Sequence, residues 1–508
     1  MIQNGNGVSI LGMLRPGGAD LTIAGGVREF GRATPDAIAV RDGDRELKYG
    51  ALDERSSRLA CGLLTLGLGY GDRVALLSGN RLEYPEIAAG IAKAGLVLVP
   101  VNPRLTAAEV GFILRHSGAG VLIVDPALTG AVPESFPGRV IRIGPEYETW
   151  LDDSRAADPE IAVHERDPFC IAYTAGTTGD PKGVLISHRS RSLTFYATAL
   201  EWGIGPGRRT VAVAPMYHGA GFAFAYAAVY CGATVSMLRS FQPDALIDMI
   251  RRDGAQSVFL VPTHAQLIRH ALEKVPELPT LDTLYFNAAA LPRVLKEWVF
   301  EAFPGAGVHE LYGSTEAGVV TNLRPPDARR KAGTVGHPWF GTRVRIVGPD
   351  GSPVRPGEPG ELYSRSPYLM NGYHENPAAT AACTTADGFL TSGDIVIQDD
   401  EGFISIVDRV KDVIITGGVN VYPRDVEEIL LAHPAVAECA VVGEPDERWG
   451  ERVVAYYVGR HPVPAEVLES YLRERLAGFK VPKHYRTVAA LPRNAAGKIL
   501  KRELRSTP

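Results

Sequence analysis

Lysine, threonine and glycine converge in one stretch of the chain, Tyr173-Thr-Ala-Gly-Thr-Thr-Gly-Asp-Pro-Lys182-Gly-Val184. An apolar run leads into it. Gly176 and Gly179 let backbone N–H groups crowd an anion. Thr174, Thr177 and Thr178 add hydroxyl donors, and Lys182 adds charge. This is the chemistry of a phosphate cradle, although a flexible surface loop has the same composition. It is not the common P-loop, because G-x-x-x-x-G-K-[ST] is absent.

Three further positions carry chemistry. Glu316 follows a Tyr312-Gly313 turn and two hydroxyl residues, Ser314 and Thr315. A carboxylate there can hold Mg²⁺ against phosphate oxygens, or simply cap the turn. Asp394, in Thr391-Ser-Gly-Asp394, can accept from two ribose hydroxyls, or cap a loop. Lys498 sits in a polar loop, Pro492-Arg-Asn-Ala-Ala-Gly-Lys498, where a solvated lysine is the plain reading.

These residues must be positioned by a large scaffold. The chain has 508 residues, 45% of them apolar and 22% charged. That is a globular composition of about three structural units. Its 55 Gly and 37 Pro predict many turns. Short runs rich in Val, Ile and Leu (Val74–Leu77, Leu96–Val101, Val121–Val124, Ile171–Thr174, Val211–Ala214, Val258–Val261) alternate with helical patterns such as Leu52, Leu59, Leu63 and Leu66. Runs buried on both faces predict a largely parallel α/β sheet, which binds ligands at its carboxyl ends. After about residue 340, turns such as Gly348-Pro349-Asp350-Gly351 separate short strands, which predicts a smaller antiparallel or barrel-like part to about 409. Strands and amphipathic helices mix again toward the end. A boundary is expected at Arg409–Asp412, and a poorly ordered start over 1–25.

A net charge of −5 argues against a nucleic-acid partner. Five scattered cysteines without C-x-x-C fit a reduced, cytoplasmic setting. No signal-peptide pattern opens the chain. Thr210–Leu238 carries no Asp, Glu, Lys or Arg, but its Pro and Gly residues read as strand, loop, helix and strand rather than a membrane span.

The lysine–threonine loop resembles the signature loop of the adenylate-forming superfamily, which includes acyl-CoA synthetases, adenylation domains of peptide synthetases and luciferases. Ala175 stands where that family usually has Ser. Further motifs follow in the family's order: Pro215-Met-Tyr-His218-Gly, Leu311-Tyr-Gly-Ser-Thr-Glu316-Ala-Gly, Gly360-Glu-Leu, Gly372-Tyr373, Thr391-Ser-Gly-Asp394, Asp408-Arg409-Val-Lys411-Asp, Gly417-Gly-Val-Asn420 and the Lys498 loop. The resemblance spans about residue 30 to the end.

It implies an N-terminal AMP-binding domain over 26–409 and a small mobile α+β domain over 410–508. It implies ATP, Mg²⁺ and coenzyme A, with a small carboxylic acid as substrate. Lys498, Glu316 and Thr174 would be catalytic, Glu316 also holding the metal. The signature loop, Lys182, Ala288, Ala289, Tyr312, Gly313, Ser314, Thr315, Asp394 and Arg409 would bind the nucleotide. Asn287 and Ala290 depart from the usual Gly and Pro of the adenine loop. His218, Gly219, Ala220, Phe222, Gly313 and Gly318 would line the acyl pocket. A buried core histidine is the plain alternative for His218. Lys411 would be the hinge, and Gly417, Gly418, Val419 and Asn420 would face the thiol channel. The implied reaction makes an acyl-adenylate and pyrophosphate, then passes the acyl group to a thiol with release of AMP. A carrier protein or amine as acceptor stays open, as does a homodimer.

Overall fold

The computed structural model describes residues 21–174, 181–272, 278, 280–493 and 499–505. Two large sheets carry the first three-quarters of the chain. The first has seven strands in the order Gly372–Tyr373, Lys182–Ser187, Pro168–Thr174, Val97–Val101, Arg73–Leu77, Ala119–Val124, Arg139–Arg142. Its members from Pro168–Thr174 to Arg139–Arg142 run parallel, and Lys182–Ser187 turns back antiparallel on Pro168–Thr174. The second has nine strands. Its centre is the parallel set Gly307–Ser314, Thr283–Phe286, Ser257–Leu260, Arg209–Ala212 and Thr234–Met237. Every residue of Ser257–Leu260 is buried, as a strand covered on both faces requires.

Helices cover these strands as the leucine spacing predicts. In Tyr49–Thr65, Leu52, Leu59 and Leu63 are fully buried. Leu66 falls past the helix end and is exposed, because the chain turns away at Gly67 with φ +86°. The uncharged stretch supplies the rest of the strand Arg209–Ala212, then the helix Gly219–Tyr230 and the strand Thr234–Met237. No helix among the described residues is long and apolar enough to cross a membrane.

The sheet-rich part after 340 is a four-stranded antiparallel sheet, ordered Arg343–Val347, Gly360–Arg365, Leu390–Gln398, Ile404–Arg409. Its inner face packs Ile346, Leu362, Val396 and Ile404 against Ala317 and Val320 of the large sheet's edge. A turn at Val410–Asp412 follows. Beyond it, a five-stranded sheet (Ile414–Thr416, Val419–Val421, Val436–Asp446, Gly450–Gly459, His484–Thr487) closes over a core of its own with the helices Pro423–Leu431 and Ala465–Arg473. Of the expected loose start, 1–20 lies outside the described residues. Ile23 and Ala24 are fully buried, and the Ile23 N–H donates to His188 Nδ1 at 3.2 Å.

Candidate active site

Strand ends bring the predicted residues together. Thr174 ends its strand opposite Lys182, which begins the next. Tyr173, one residue earlier, is anchored by a 2.8 Å hydrogen bond between its hydroxyl and His116 Nδ1. Gly176, Thr177, Thr178 and Gly179 lie outside the described residues, as does Ala175. Lys182 Nζ sits 5.0 Å from the Tyr373 ring centroid, within cation–π range. The Tyr373 hydroxyl donates to Glu316 Oε1 at 3.0 Å. Burial, with Glu316 beside it, raises the phenol pKa, so Tyr373 remains a donor. Lys182, Tyr373 and Glu316 therefore form one line across the junction of the two large sheets.

Glu316 is held at the tip of the hairpin Gly307–Ser314/Gly318–Leu323. Ser314 Oγ accepts from the Ala317 N–H at 3.0 Å, and the Glu316 carbonyl accepts from Met370 N–H at 2.8 Å. Two glycines make the tip possible. A Cβ on Gly313 would stand 2.0 Å from the Gly318 carbonyl oxygen, and Gly318 itself has φ +67°. Among the described residues, no hydrogen bond reaches the second Glu316 oxygen. A single carboxylate suits Mg²⁺, which takes most of its ligands from water and phosphate.

On the same hairpin, the Tyr312 hydroxyl donates to Asp394 Oδ2 at 2.5 Å and lies 2.9 Å from Ser392 Oγ. Ser392 Oγ also donates to Asp394 at 2.8 Å. Arg409 Nε donates to Asp394 Oδ1 at 3.1 Å from the paired strand. Asp394 is buried, so this network compensates its charge. Burial and the adjacent carboxylate push the Tyr312 phenol well up. Asp408, next to Arg409, accepts from the Arg424 N–H at 2.9 Å and so caps the helix Pro423–Leu431.

Ala288 and Ala289 are exposed in the loop after Thr283–Phe286. Ala288 has φ +74°, and its N–H donates to the Asn287 side chain. A Cβ-bearing residue in that region is strained, and such strain gathers at ligand sites. His218 precedes the helix Gly219–Tyr230 and is exposed, so it is not a core histidine. The walls around its ring, and then Arg104, lower its pKa. Gly219 lies beside Thr315: a Cβ there would be 3.8 Å from Thr315 Oγ1. Ala220 packs against the main core, and Phe222 is part of it, stacked on Phe169 at 5.4 Å.

Lys498 lies outside the described residues. Lys411 occupies the turn after Arg409, and its carbonyl accepts from Arg505 at 3.3 Å. Gly417 and Gly418, with φ +59° and +79°, make the hairpin turn that exposes Val419 and Asn420. The Gly417 N–H donates to the Trp449 carbonyl at 2.8 Å. These residues sit on the C-terminal sheet, apart from the Glu316 and Asp394 clusters. Two residues given no individual role in the sequence join these clusters: Tyr373, through Glu316, and Ser392, through Asp394.

Residues 27–374 match the AMP-binding enzyme family, and 425–498 match the AMP-binding enzyme C-terminal domain. The chain belongs to the AMP-binding enzyme family. This AMP-binding enzyme is 38% identical over 480 residues to a feruloyl-CoA synthase of Amycolatopsis sp, covering 93% of this chain and 96% of that one. It is 36% identical over 492 residues to a fatty acid–[acyl-carrier-protein] ligase of Streptomyces coeruleorubidus, covering 93% of each. Among solved structures it resembles the o-succinylbenzoate CoA synthetase of Bacillus subtilis in complex with its acyl-adenylate intermediate. The TM-score is 0.87 at 30% identity, over 95% of this chain and 98% of that one. The same synthetase has been solved with ATP and a magnesium ion.

Proposed function

We propose that this enzyme is an AMP-forming acid–CoA ligase. It joins a carboxylic acid to the α-phosphate of ATP with release of pyrophosphate, then transfers the acyl group to the CoA thiol with release of AMP. The observation that carries the reading is the convergence of Lys182, Tyr373 and Glu316 on one side of a hairpin and Tyr312, Asp394 and Arg409 on the other. Full-length similarity to acid–CoA ligases supports it.

Each residue has a physical task in this reading. Asp394, already fixed by Tyr312, Ser392 and Arg409, presents oxygens to the ribose hydroxyls. Ala288 and Ala289 offer backbone to the adenine. Thr174, Gly176, Thr177, Thr178, Gly179 and Lys182 hold phosphate oxygens, and Ser314 and Thr315 extend that shell. Mg²⁺ would supply positive charge to the phosphates at Glu316. Lys498 would sit between the acid carboxylate and the α-phosphate, where charge crowding makes most of the first barrier. His218, Gly219, Ala220, Phe222, Gly313 and Gly318 form the acyl side. The domain from 410 onward turns about Lys411, presenting Lys498 for adenylation and the Gly417–Asn420 face for the thiol. In this reading the enzyme works in the cytoplasm, as a monomer or a homodimer.

A second acceptor is favoured by one finding, the similarity to a ligase named for acyl-carrier protein. The experiment is a mass-spectrometric screen with ATP, Mg²⁺ and fatty, aryl and cyclic acids, with and without CoA. Acyl-CoA appearing with AMP supports the ligase. Acyl-adenylate that accumulates and ignores CoA moves the acceptor to a carrier protein or an amine.

A further inference from the structure

Arg191 stands out because its charge is unanswered. Ser187 caps the helix His188–Trp202 through a 3.1 Å bond from the Ser190 N–H, which fixes the first turn and Arg191 with it. The Arg191 Nε is fully buried and has no hydrogen-bond partner. Among the described residues the guanidinium has no carboxylate partner. Protein surrounds it closely enough for burial to lower its pKa, yet the residue keeps accessible surface. One side of Arg191 thus stays open to solvent. Nη2 comes within 3.8 Å of where a Cβ on Gly219 would be, and Thr315 Oγ1 is equally near that point.

Among the described residues, no neighbouring carboxylate pairs with Arg191. The Cys170 thiol beside it is pushed up to about 12 by burial and stays neutral. The helix Gly219–Tyr230 belongs to a stretch with no acidic residue, and its N-terminus has no side-chain cap. Glu316, next to Thr315, is engaged by Tyr373. Arg104 adds a second cation near Tyr217 and His218. A partly buried guanidinium without a carboxylate partner is costly to keep. It suits a site where a ligand brings the counter-charge, and its planar fork matches a carboxylate.

We propose that Arg191 is a specificity residue that receives a second anionic group of the acid substrate, so that the preferred substrates are dicarboxylic acids. The proposal rests on the ligase reading. The reacting carboxylate loses its charge on forming the mixed anhydride. A second carboxylate keeps its charge through both half-reactions and remains a partner for Arg191 throughout.

The test uses matched acids with and without a terminal carboxylate, together with the monomethyl esters of the diacids. Binding is read as the rise in melting temperature beside a non-hydrolysable ATP analogue, and turnover as acyl-adenylate and acyl-CoA. The wild type is expected to bind and use diacids in preference to their matched monoacids. In Arg191→Leu the diacid-to-monoacid ratio of kcat/KM should fall about 10²-fold, and Arg191→Lys should recover part of it. Equal or better use of monoacids by the wild type would overturn the proposal. So would an equal loss for both members of each pair in Arg191→Leu. Selective binding of diacids through Arg191 without any acyl-adenylate would refute the ligase reading and leave the anion site standing.

Discussion

Two arginines flank the hairpin that carries Glu316, and they are treated oppositely. Arg409 donates to a buried aspartate that is also held by Tyr312 and Ser392. Arg191 has its Nε buried with no partner. The first arrangement is complete before any ligand arrives and can only orient one. The second is incomplete and gains when an anion arrives. A preorganised site and a discriminating site thus differ by whether the protein satisfies its own charge.

Four changes would break or sharpen this contrast. The largest effect belongs to the catalytic charges. Lys498→Ala should slow adenylation by about 10²–10³ while sparing thioester formation from supplied acyl-adenylate. Pyrophosphate release at the wild-type rate would remove Lys498 from the mechanism. Next, Asp394→Asn should raise the KM for ATP and cost about 2–4 kcal/mol of stability, because it strands a partly buried arginine. Urea titration beside an ATP kinetic series measures both.

Arg191→Leu should have the opposite sign in stability. Removing an unpaired charge should leave the unliganded protein as stable or up to about 1–2 kcal/mol more stable. A loss comparable to that of Asp394→Asn would mean that Arg191 is structurally paired. The pH dependence tests burial away from the two arginines. Burial holds His188 at about 3, and His264 and His309 at about 4. Their ordinary pKa is near 6.5, so the unfolded chain binds more protons below that value. Stability is full above about pH 6.5 and should fall as pH drops toward 3 to 4. A melting temperature that is flat across that range would contradict the neutral histidines.

Much of the scaffold was legible because strands buried on both faces announce themselves as unbroken apolar runs. Val74–Leu77 and Val258–Val261 are placed within a residue of the observed Arg73–Leu77 and Ser257–Leu260. Glu316 and Asp394 were legible as motifs; Glu316 sits in a hairpin turn and Asp394 mid-strand, each in a bonded cluster. What stayed hidden depends on distance along the chain. Tyr373 meets Glu316 across 57 residues, and its Gly372-Tyr373 motif says nothing of that contact. Arg191, in a run of polar helix residues, reads as a surface cation. Only the helix Gly219–Tyr230 beside it and the hairpin tip near Thr315 give it its surroundings. His218 was ambiguous in sequence because burial is not a local property.

The measurement that bears most directly on the central claim is the identity of the nucleotide product. ATP, Mg²⁺ and the acid panel would be incubated with the enzyme, and the products resolved by mass spectrometry. The account predicts AMP and pyrophosphate, formed only when an acid is present and accompanied by its adenylate or thioester. ADP as the product, or AMP released without any acid, would contradict it.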